Sequence, residues 1–256
     1  MEKRKKRGVE SRDHPTQRRT RTRSRALKVE EKKNTALTGA NLDVQGQYGD
    51  TALIFASYEG HAEIVKTLVG AGANLDLQNE HGSTALILAA EWGHTEIAKA
   101  LVTAGANLDV QDKDGNTALI LAASDGHTEV TRALVSCGAQ LNIRDKDGDT
   151  ALICAVAWSQ PHTADVIVSS ARPGTLDIDA VNSEGWTAVN WARNKGYHPL
   201  AEKMILYGAR REMDRPPEEM GHAVTSSNRS SNLNNWQKTT QAIKVGMNIG
   251  DILGQL

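Results

Sequence analysis

The stretch Asp112–Asn142, DKDGNTALILAASDGHTEVTRALVSCGAQLN, recurs with changes on both sides of itself. Its marker is Thr-Ala followed by an aliphatic residue, and successive markers lie 33 residues apart except the last, which lies 37 residues further on. Each marker follows a glycine by two positions, and Gly-His comes nine positions after the threonine in three copies. Self-similarity at a fixed period predicts a stack of supersecondary units. The markers begin at Thr51, Thr84, Thr117, Thr150 and Thr187.

The pattern within one unit predicts a turn followed by two short helices. Asp112–Gly115 has turn chemistry, with carboxylates followed by a residue that is free to adopt a positive φ. Thr117 is predicted to cap a first helix, which Gly126 ends in left-handed geometry. Thr128 is predicted to cap a second helix, which Gly138 ends. Both helices are shorter than the ~12–15 residues that marginal stability alone requires, so neighbouring units must stack.

Two sets of residues recur in register with the markers. Apolar side chains of the second helices are predicted to form the core, namely Ile64, Leu68, Ile97, Leu101, Val130 and Leu134. A second glycine is predicted to close the unit at Gly72, Gly105, Gly138 and Gly208.

These units resemble ankyrin repeats, whose unit of about 33 residues is a β-turn plus two antiparallel helices. The family pattern of Gly-x-Thr-Pro-Leu-His, small residues and then Gly-His is matched over roughly residues 41–211. Alanine replaces the proline in every copy, and the histidine after leucine becomes Ile54, Ile87, Ile120, Ile153 and Asn190. The threonine–histidine hydrogen bond of the family is therefore unavailable, and apolar packing is expected to replace it. The resemblance implies an all-α ankyrin-repeat solenoid with disordered termini.

The organisation expected along the chain is an arm, a repeat domain and a tail. The basic, disordered arm covers residues 1–33, the repeat domain 34–213, and the flexible tail 214–256, in which 247–256 has the spacing of a short helix. The full repeats are expected at about 48–77, 81–110, 114–143, 147–180 and 184–213, after a degenerate one at 34–47. That degenerate copy joins the start of a repeat to its end without the two helices. We hypothesise an internal deletion that leaves the next repeat with a poorly capped outer face.

The last two repeats depart from the regular pattern. The fourth contains a four-residue insertion, which marks either a binding face or drift near the end of the array. The fifth is more polar, as a terminal cap requires.

The overall charge of −1 conceals an asymmetry. Residues 1–33 hold 14 Lys and Arg against 5 Asp and Glu, a net charge of +9, so the remainder carries −10. Three interpretations of the arm stay open: a nuclear-import signal, a nucleic-acid contact, and a solvated tail. A further hypothesis places the arm in an acidic groove of the repeats, where it inhibits binding. Its basic residues are Lys3, Arg4, Lys5, Lys6, Arg7, Arg18, Arg19, Arg21, Arg23 and Arg25.

Several function classes are not supported by the sequence. No apolar run is long enough to span a membrane, and the start Met1–Lys5 lacks the apolar region of a secretory signal. We therefore expect no membrane contact and a cytoplasmic or nuclear location. The two cysteines, Cys137 and Cys154, lack metal-ligand spacing and fit a reducing compartment.

No catalytic, cofactor or metal site is expected. The aspartates at 145, 147 and 149 resemble the start of a calcium loop, but Thr150 stands where its glycine is needed. The histidines at 61, 94 and 127 occupy one position in successive repeats, about 8–10 Å apart, which is too far for a shared zinc ion. We find no nucleophile–base set and no phosphate-binding loop, so we expect a protein that is not an enzyme and binds no small molecule.

The resemblance implies that binding occurs on a concave face, at hairpin tips and at the exposed ends of first helices. Large aromatic side chains amid charges are typical of binding hot spots, and a basic or mixed-charge segment of a partner protein is the complement of an acidic surface. For Tyr58, Trp92 and Trp158, packing on the neighbouring repeat is the alternative. The residues mapped to this face are Tyr48, Asp50, Tyr58, Glu59, Glu80, His81, Glu91, Trp92, Lys113, Asp114, Asp125, Lys146, Asp147, Asp149, Trp158 and Trp186.

The expected function is a non-enzymatic intracellular scaffold or adaptor for protein–protein interaction. The alternative is a nuclear regulatory protein whose basic arm contacts nucleic acid or import receptors.

Overall fold

The structure is a computed structural model that describes residues 40–172 and 174–213. Over these residues it contains ten α-helices in five consecutive pairs and no β-strand. The first helices of the pairs are α1 (Ala52–Tyr58), α3 (Ala85–Glu91), α5 (Ala118–Ser124), α7 (Ala151–Ala157) and α9 (Ala188–Asn194). The second helices are α2 (Ala62–Gly70), α4 (Thr95–Thr103), α6 (Thr128–Ser136), α8 (Pro161–Ser170) and α10 (His198–Met213).

Each first helix begins at a threonine cap, as the markers predict. Thr117 Oγ1 accepts a hydrogen bond from the backbone N–H of Ile120 at 3.2 Å, and the other four marker threonines do the same in their own helices. This bond satisfies one of the free N–H groups at the start of the helix. Ile54, Ile87, Ile120 and Ile153 are 1–2% exposed. Apolar packing has therefore replaced the missing threonine–histidine bond, as expected.

The second helices begin differently from the prediction. The residue before α6 is His127, and Thr128 lies within the helix, so the prediction that Thr128 is the cap is wrong. Its hydroxyl instead bonds to the hydroxyl of Thr163 in the next repeat at 2.8 Å. The histidine Nε2 donates to the carbonyl of Glu91 at 2.9 Å, which is the last residue of α3. This bond satisfies a free carbonyl at a helix end and ties two repeats together.

At the junction between the two helices of the third repeat, Gly126 has no room for a side chain, for two reasons. Gly126 has φ of +77°, a region that L side chains rarely adopt. A Cβ at this position would also lie 2.3 Å from Oε1 of Gln160, which replaces the junction histidine in the fourth repeat. The predicted left-handed end of the first helix is confirmed at this glycine.

Hairpins between the helix pairs are linked by a ladder of hydrogen bonds with the period of the repeat. At each step a backbone N–H near the hairpin tip donates to a carbonyl of the preceding tip at 2.9–3.0 Å. A glutamine side chain also donates to a carbonyl of its own hairpin and to one 33 residues further along. The tip bonds join Glu80 to Tyr48, Lys113 to His81, Lys146 to Asp114 and Ser183 to Asp147.

The outer face of the first helix pair is exposed, which makes the prediction that Ile64 is a core residue wrong. Ile97 and Val130, its counterparts, are 1% and 0% exposed, whereas Ile64 is 50% exposed and Phe55 of α1 is 56% exposed. The counterparts are buried because α4 and α6 each pack against the second helix of the preceding repeat. Among the described residues, no helix pair precedes α1 and α2, so that contact is missing. The poorly capped face that we expected is present.

The last pair ends the array with a polar face and a long helix. Asn190, Arg193 and Asn194 of α9 are exposed, as a terminal cap requires. Gly208 does not close its unit as predicted, because α10 continues through it to Met213. A Cβ on this glycine would lie 3.2 Å from Ile178 Cγ2, so close packing against the preceding turn accounts for the glycine.

None of the described helices is both long enough and apolar enough to cross a bilayer. The arm at 1–33, residues 34–39 of the degenerate repeat and the tail at 214–256, with its expected helix at 247–256, lie outside the described residues.

Candidate protein-binding surface

The hairpins lie against the first helices, so hairpin residues and helix ends belong to one surface. In the fourth repeat, Oδ2 of Asp145 in the hairpin accepts a hydrogen bond from the Sγ–H of Cys154, in the middle of α7, at 3.8 Å. Between the second and third repeats, burial raises the pKa of Glu91, at the end of α3, and the charges of Asp125 and of Asp112 in the hairpin add to that effect. The two regions that the sequence predicted for binding are therefore adjacent.

Three aromatic side chains at the ends of first helices are exposed. Tyr58 and Trp92 meet across the first two repeats, with ring centroids 5.3 Å apart and ring planes at 83°. Their exposed fractions are nevertheless 43% and 53%. Packing on the neighbouring repeat and exposure to solvent thus coexist for this pair. Trp158 is 68% exposed, and none of the described aromatic rings packs against it.

Carboxylates converge beside the exposed rings. Burial, followed by the charges of Asp125 and Asp112, raises the pKa of Glu91. Burial also raises the pKa of Asp149, and the surrounding acids of the fourth and fifth hairpins add to the effect, against a hydrogen bond from Asn182. Crowded negative charge of this kind is relieved when a cation approaches. The exposed rings therefore lie beside acids that repel one another.

The predicted hairpin residues divide into exposed and partly buried groups. Two of the acids, Asp50 and Asp149, are half-buried and accept hydrogen bonds from the side chains of Asn79 and Asn182 in the next hairpin, at 2.9 and 2.8 Å. Lys146 and Asp114 form a salt bridge of 3.5 Å between successive tips. The exposed hairpin residues are Tyr48, Glu80, His81, Lys113, Asp114, Lys146 and Asp147, and the exposed helix-end residues are Tyr58, Glu59, Trp92, Asp125 and Trp158.

The sequence analysis mapped Trp186 to the binding face, but the structure shows that this residue also packs within its own repeat. It is half-buried and stacks on Trp191 of α9, with ring centroids 4.7 Å apart and planes at 28°. Lys195 Nζ lies 5.6 Å from the Trp191 ring centroid on this stack. The structure therefore gives Trp186 a packing role, while part of its ring remains at the surface.

The cluster of Asp145, Asp149 and Cys154 has ligand atoms within 4.8 Å of one another. Asp145 Oδ1 already accepts the backbone N–H groups of Asp147 and Asp149, at 2.9 and 2.8 Å, and so holds the hairpin turn. Burial, with the adjacent carboxylates, raises the pKa of the Cys154 thiol well above its usual range. A protonated thiol donates to a carboxylate and is a poor metal ligand. A hydrogen-bonded turn accounts for the cluster.

Two residues of the surface were missed by the sequence analysis. Asp112 lies beside Glu91 from the next repeat, and Lys195 follows α9 at the position that Trp158 occupies after α7. Lys195 Nζ bonds to Ser159 Oγ at 2.9 Å. Aligning the fifth repeat on the others, with its 37-residue step, would have found the lysine. The proximity of the two acids depends on how successive repeats are stacked, which spacing alone does not give.

The arm residues between Lys3 and Arg25 lie outside the described residues, so their predicted contacts stay predictions.

Comparison with known proteins agrees with the geometry. A family model described as ankyrin repeats, in three copies, matches residues 29–112 and 101–177. A search of curated proteins found no match. Ankyrin repeats are in general modules for protein–protein interaction. The family match covers more than half of the sequence, and the helix pairs, threonine caps and hairpin ladder follow the same register, so the chain belongs to the ankyrin-repeat family.

Proposed function

We propose that this protein is a non-enzymatic scaffold or adaptor, in the cytoplasm or the nucleus, that binds a basic or mixed-charge segment of a partner protein. The surface is the one formed by the hairpin tips and the ends of the first helices. The observation that supports this function best is the pair of exposed indoles, Trp92 and Trp158, on either side of the exposed carboxylate of Asp125.

The physical argument combines area and charge. Tryptophan contributes more binding energy per residue than most side chains because it buries a large rigid surface with little loss of conformational entropy. Burial, and after it the charge of neighbouring acids, disfavours ionisation of Glu91 and Asp149, and a partner's cations would offset the repulsion from those acids. Complementary charge also accelerates encounter and excludes acidic competitors.

The test compares two tryptophan variants with a matched control in the full chain. Trp92→Ala and Trp158→Ala are each expected to weaken the binding of a captured partner by about 2 kcal/mol, which raises its Kd roughly thirtyfold. Ile64→Ala is the control. Ile64 is 50% exposed, which is close to the 53% of Trp92, but it lies on the outer face of the first repeat. Partners are isolated by affinity capture and their Kd values are measured by calorimetry. Equal affinity for the parent and both tryptophan variants would contradict the proposal.

The charge of the arm favours a second candidate function. With a net charge of +9 over residues 1–33, the arm is suited to contact nucleic acid or an import receptor in a nuclear regulatory protein. Nucleic-acid binding through the arm should weaken steeply as salt rises and should be lost when residues 1–33 are deleted. Protein binding by the repeats should survive that deletion.

A further inference from the structure

The residue that follows each first helix forms a row across the binding surface. Its members are the helix C-caps, here called the C-cap row, and each belongs to one repeat: Glu59, Trp92, Asp125, Trp158 and Lys195. The row therefore reads acid, indole, acid, indole, cation along the array. The first four members are exposed, and Lys195 is half-buried.

The spacing of the row follows from helix packing. The first helices of successive repeats pack against one another, and packed helices lie about 8–10 Å apart. Trp92 and Trp158 are two repeats apart, so their positions in the row are separated by about 16–20 Å, with Asp125 midway. An extended peptide rises ~3.3 Å per residue, so about five to six residues join the two indoles.

One segment of this chain outside the described residues has that spacing and the complementary charge. Residues 18–25 read RRTRTRSR, in which arginine alternates with threonine or serine. In an extended conformation Arg19, Arg21, Arg23 and Arg25 share one face, because successive side chains point to opposite sides. Arg19 and Arg25 are six residues apart, as the two indoles require. The hydroxyl residues Thr20, Thr22 and Ser24 share the opposite face.

We propose that residues 18–25 of this chain lie extended along the C-cap row, with Arg25 on Trp92, Arg19 on Trp158 and the arginines between them beside Asp125. The contact is intramolecular, rests on the binding surface proposed above, and competes with the partner for it. Phosphorylation of the hydroxyl residues would release the segment, because each phosphate adds about −1.5 to −2 charges to a segment with five arginines.

The chemistry of each contact supports this register. Arginine binds the face of tryptophan better than most cations do, through stacking and attraction to the ring quadrupole. Tyr58 and Trp92 already form a T-shaped contact, which restricts the orientation of that indole. Asp125 faces a neighbouring carboxylate, Glu91, and its own charge contributes to raising the pKa of that group, so arginine here relieves repulsion. At the end of the row Lys195 repels a basic segment, which explains why the contact stops at Trp158.

The chain is long enough to make the contact. Fourteen residues lie between Arg25 and Ala40, the first described residue, and the fifteen extended steps that join the two span about 50 Å. The C-cap row from Glu59 to Trp158 crosses three repeat steps, or about 30 Å. The segment therefore reaches the row in the proposed direction, with its later residues nearer the first repeats.

Photo-crosslinking in the full chain tests both the contact and its direction. Benzoylphenylalanine is placed at Ala26 in one protein and at Gln17 in another, on either side of the arginine segment. Position 26 should crosslink to the end of α3 around Trp92, and position 17 to the α7–α8 junction around Trp158, both within one molecule. Trp92→Ala and Trp158→Ala should reduce the respective yields about tenfold, whereas Ile64→Ala should leave them unchanged.

A permuted arm is the decisive control. Rearranging residues 18–25 to five consecutive arginines followed by the two threonines and the serine preserves the charge but destroys the alternation. This variant should lose about tenfold in crosslinking yield. An unchanged yield, crosslinks on the outer face of the first repeat, crosslinks between molecules only, or crosslinks to co-purifying nucleic acid would each overturn the inference. If Trp92→Ala and Trp158→Ala lose the partner while the permuted arm crosslinks as strongly as the natural arm, the inference fails and the proposed function stands.

Discussion

Ile64 and Ile97 occupy the same position in successive second helices, so replacing each by alanine measures the contribution of the preceding repeat. Ile97 is 1% exposed and Ile64 is 50% exposed. Ile97→Ala removes three carbons from a closed core and should lower the free energy of unfolding by about 2–5 kcal/mol, because the site cannot fully collapse. In Ile64→Ala half of the side chain is already in water and no closed cavity forms. The expected loss is about 1 kcal/mol or less.

Equilibrium unfolding of the full chain in urea, followed by circular dichroism, measures both values. Repeat arrays can unfold from one end, so the dependence of the unfolding free energy on urea must be reported with each midpoint. If the unfolding free energy of Ile97→Ala depends less steeply on urea than that of the parent, the first repeats unfold separately. The loss of unfolding free energy is then taken from the transition at the lower urea concentration. Equal destabilisation by the two substitutions would refute the reasoning, because it would mean that another part of the chain covers Ile64 in solution.

Three further predictions follow from the caps, the acids and the thiols. Thr117→Ala should lower the free energy of unfolding by about 0.5–2 kcal/mol through loss of its N-cap bond, measured against the exposed Thr103→Ala. Burial raises the pKa of Glu91 in the folded state, so folding is favoured as pH falls from 7 through that pKa; Glu91→Gln should raise stability at pH 7 and flatten this part of the pH profile in urea titrations. A thiol reagent should modify the exposed Cys137 in the native protein at pH 8, whereas the buried Cys154, whose pKa is raised, should react only after unfolding.

The local structure of each repeat could be predicted from the sequence because it depends on residues close together in the chain. The bond from Ile120 N–H to Thr117 spans three residues, and the positive φ of Gly126 needs only a residue without a side chain. Both were predicted. The error at Thr128 has a local cause as well: threonine is a good cap, but the preceding histidine takes that position while it bonds to the repeat before it.

The features that could not be predicted depend on which neighbour is present and how it is stacked. The sequence of α2 gives Ile64 the same pattern as Ile97, and only the position in the array distinguishes them. The stacking of Trp186 on Trp191 joins a hairpin to a helix and follows no fixed spacing. Gly208 has the spacing of a terminating glycine, yet α10 continues through it, and the lack of a side chain permits close packing against Ile178 instead.

The repeat also explains why recognition should depend on the C-cap row. Only a few residue types fit at the positions that join repeats, because the marker threonine and the residues that pack behind it must make the same contacts in each copy. The residue after each first helix varies along the array, as glutamate, tryptophan, aspartate, tryptophan and lysine. A ligand that binds this row meets an ordered series of charges and rings that is not the same in both directions. An array built from equivalent units can therefore bind a segment in one register and one direction, and substitutions in the row should alter that choice while the stack itself remains folded.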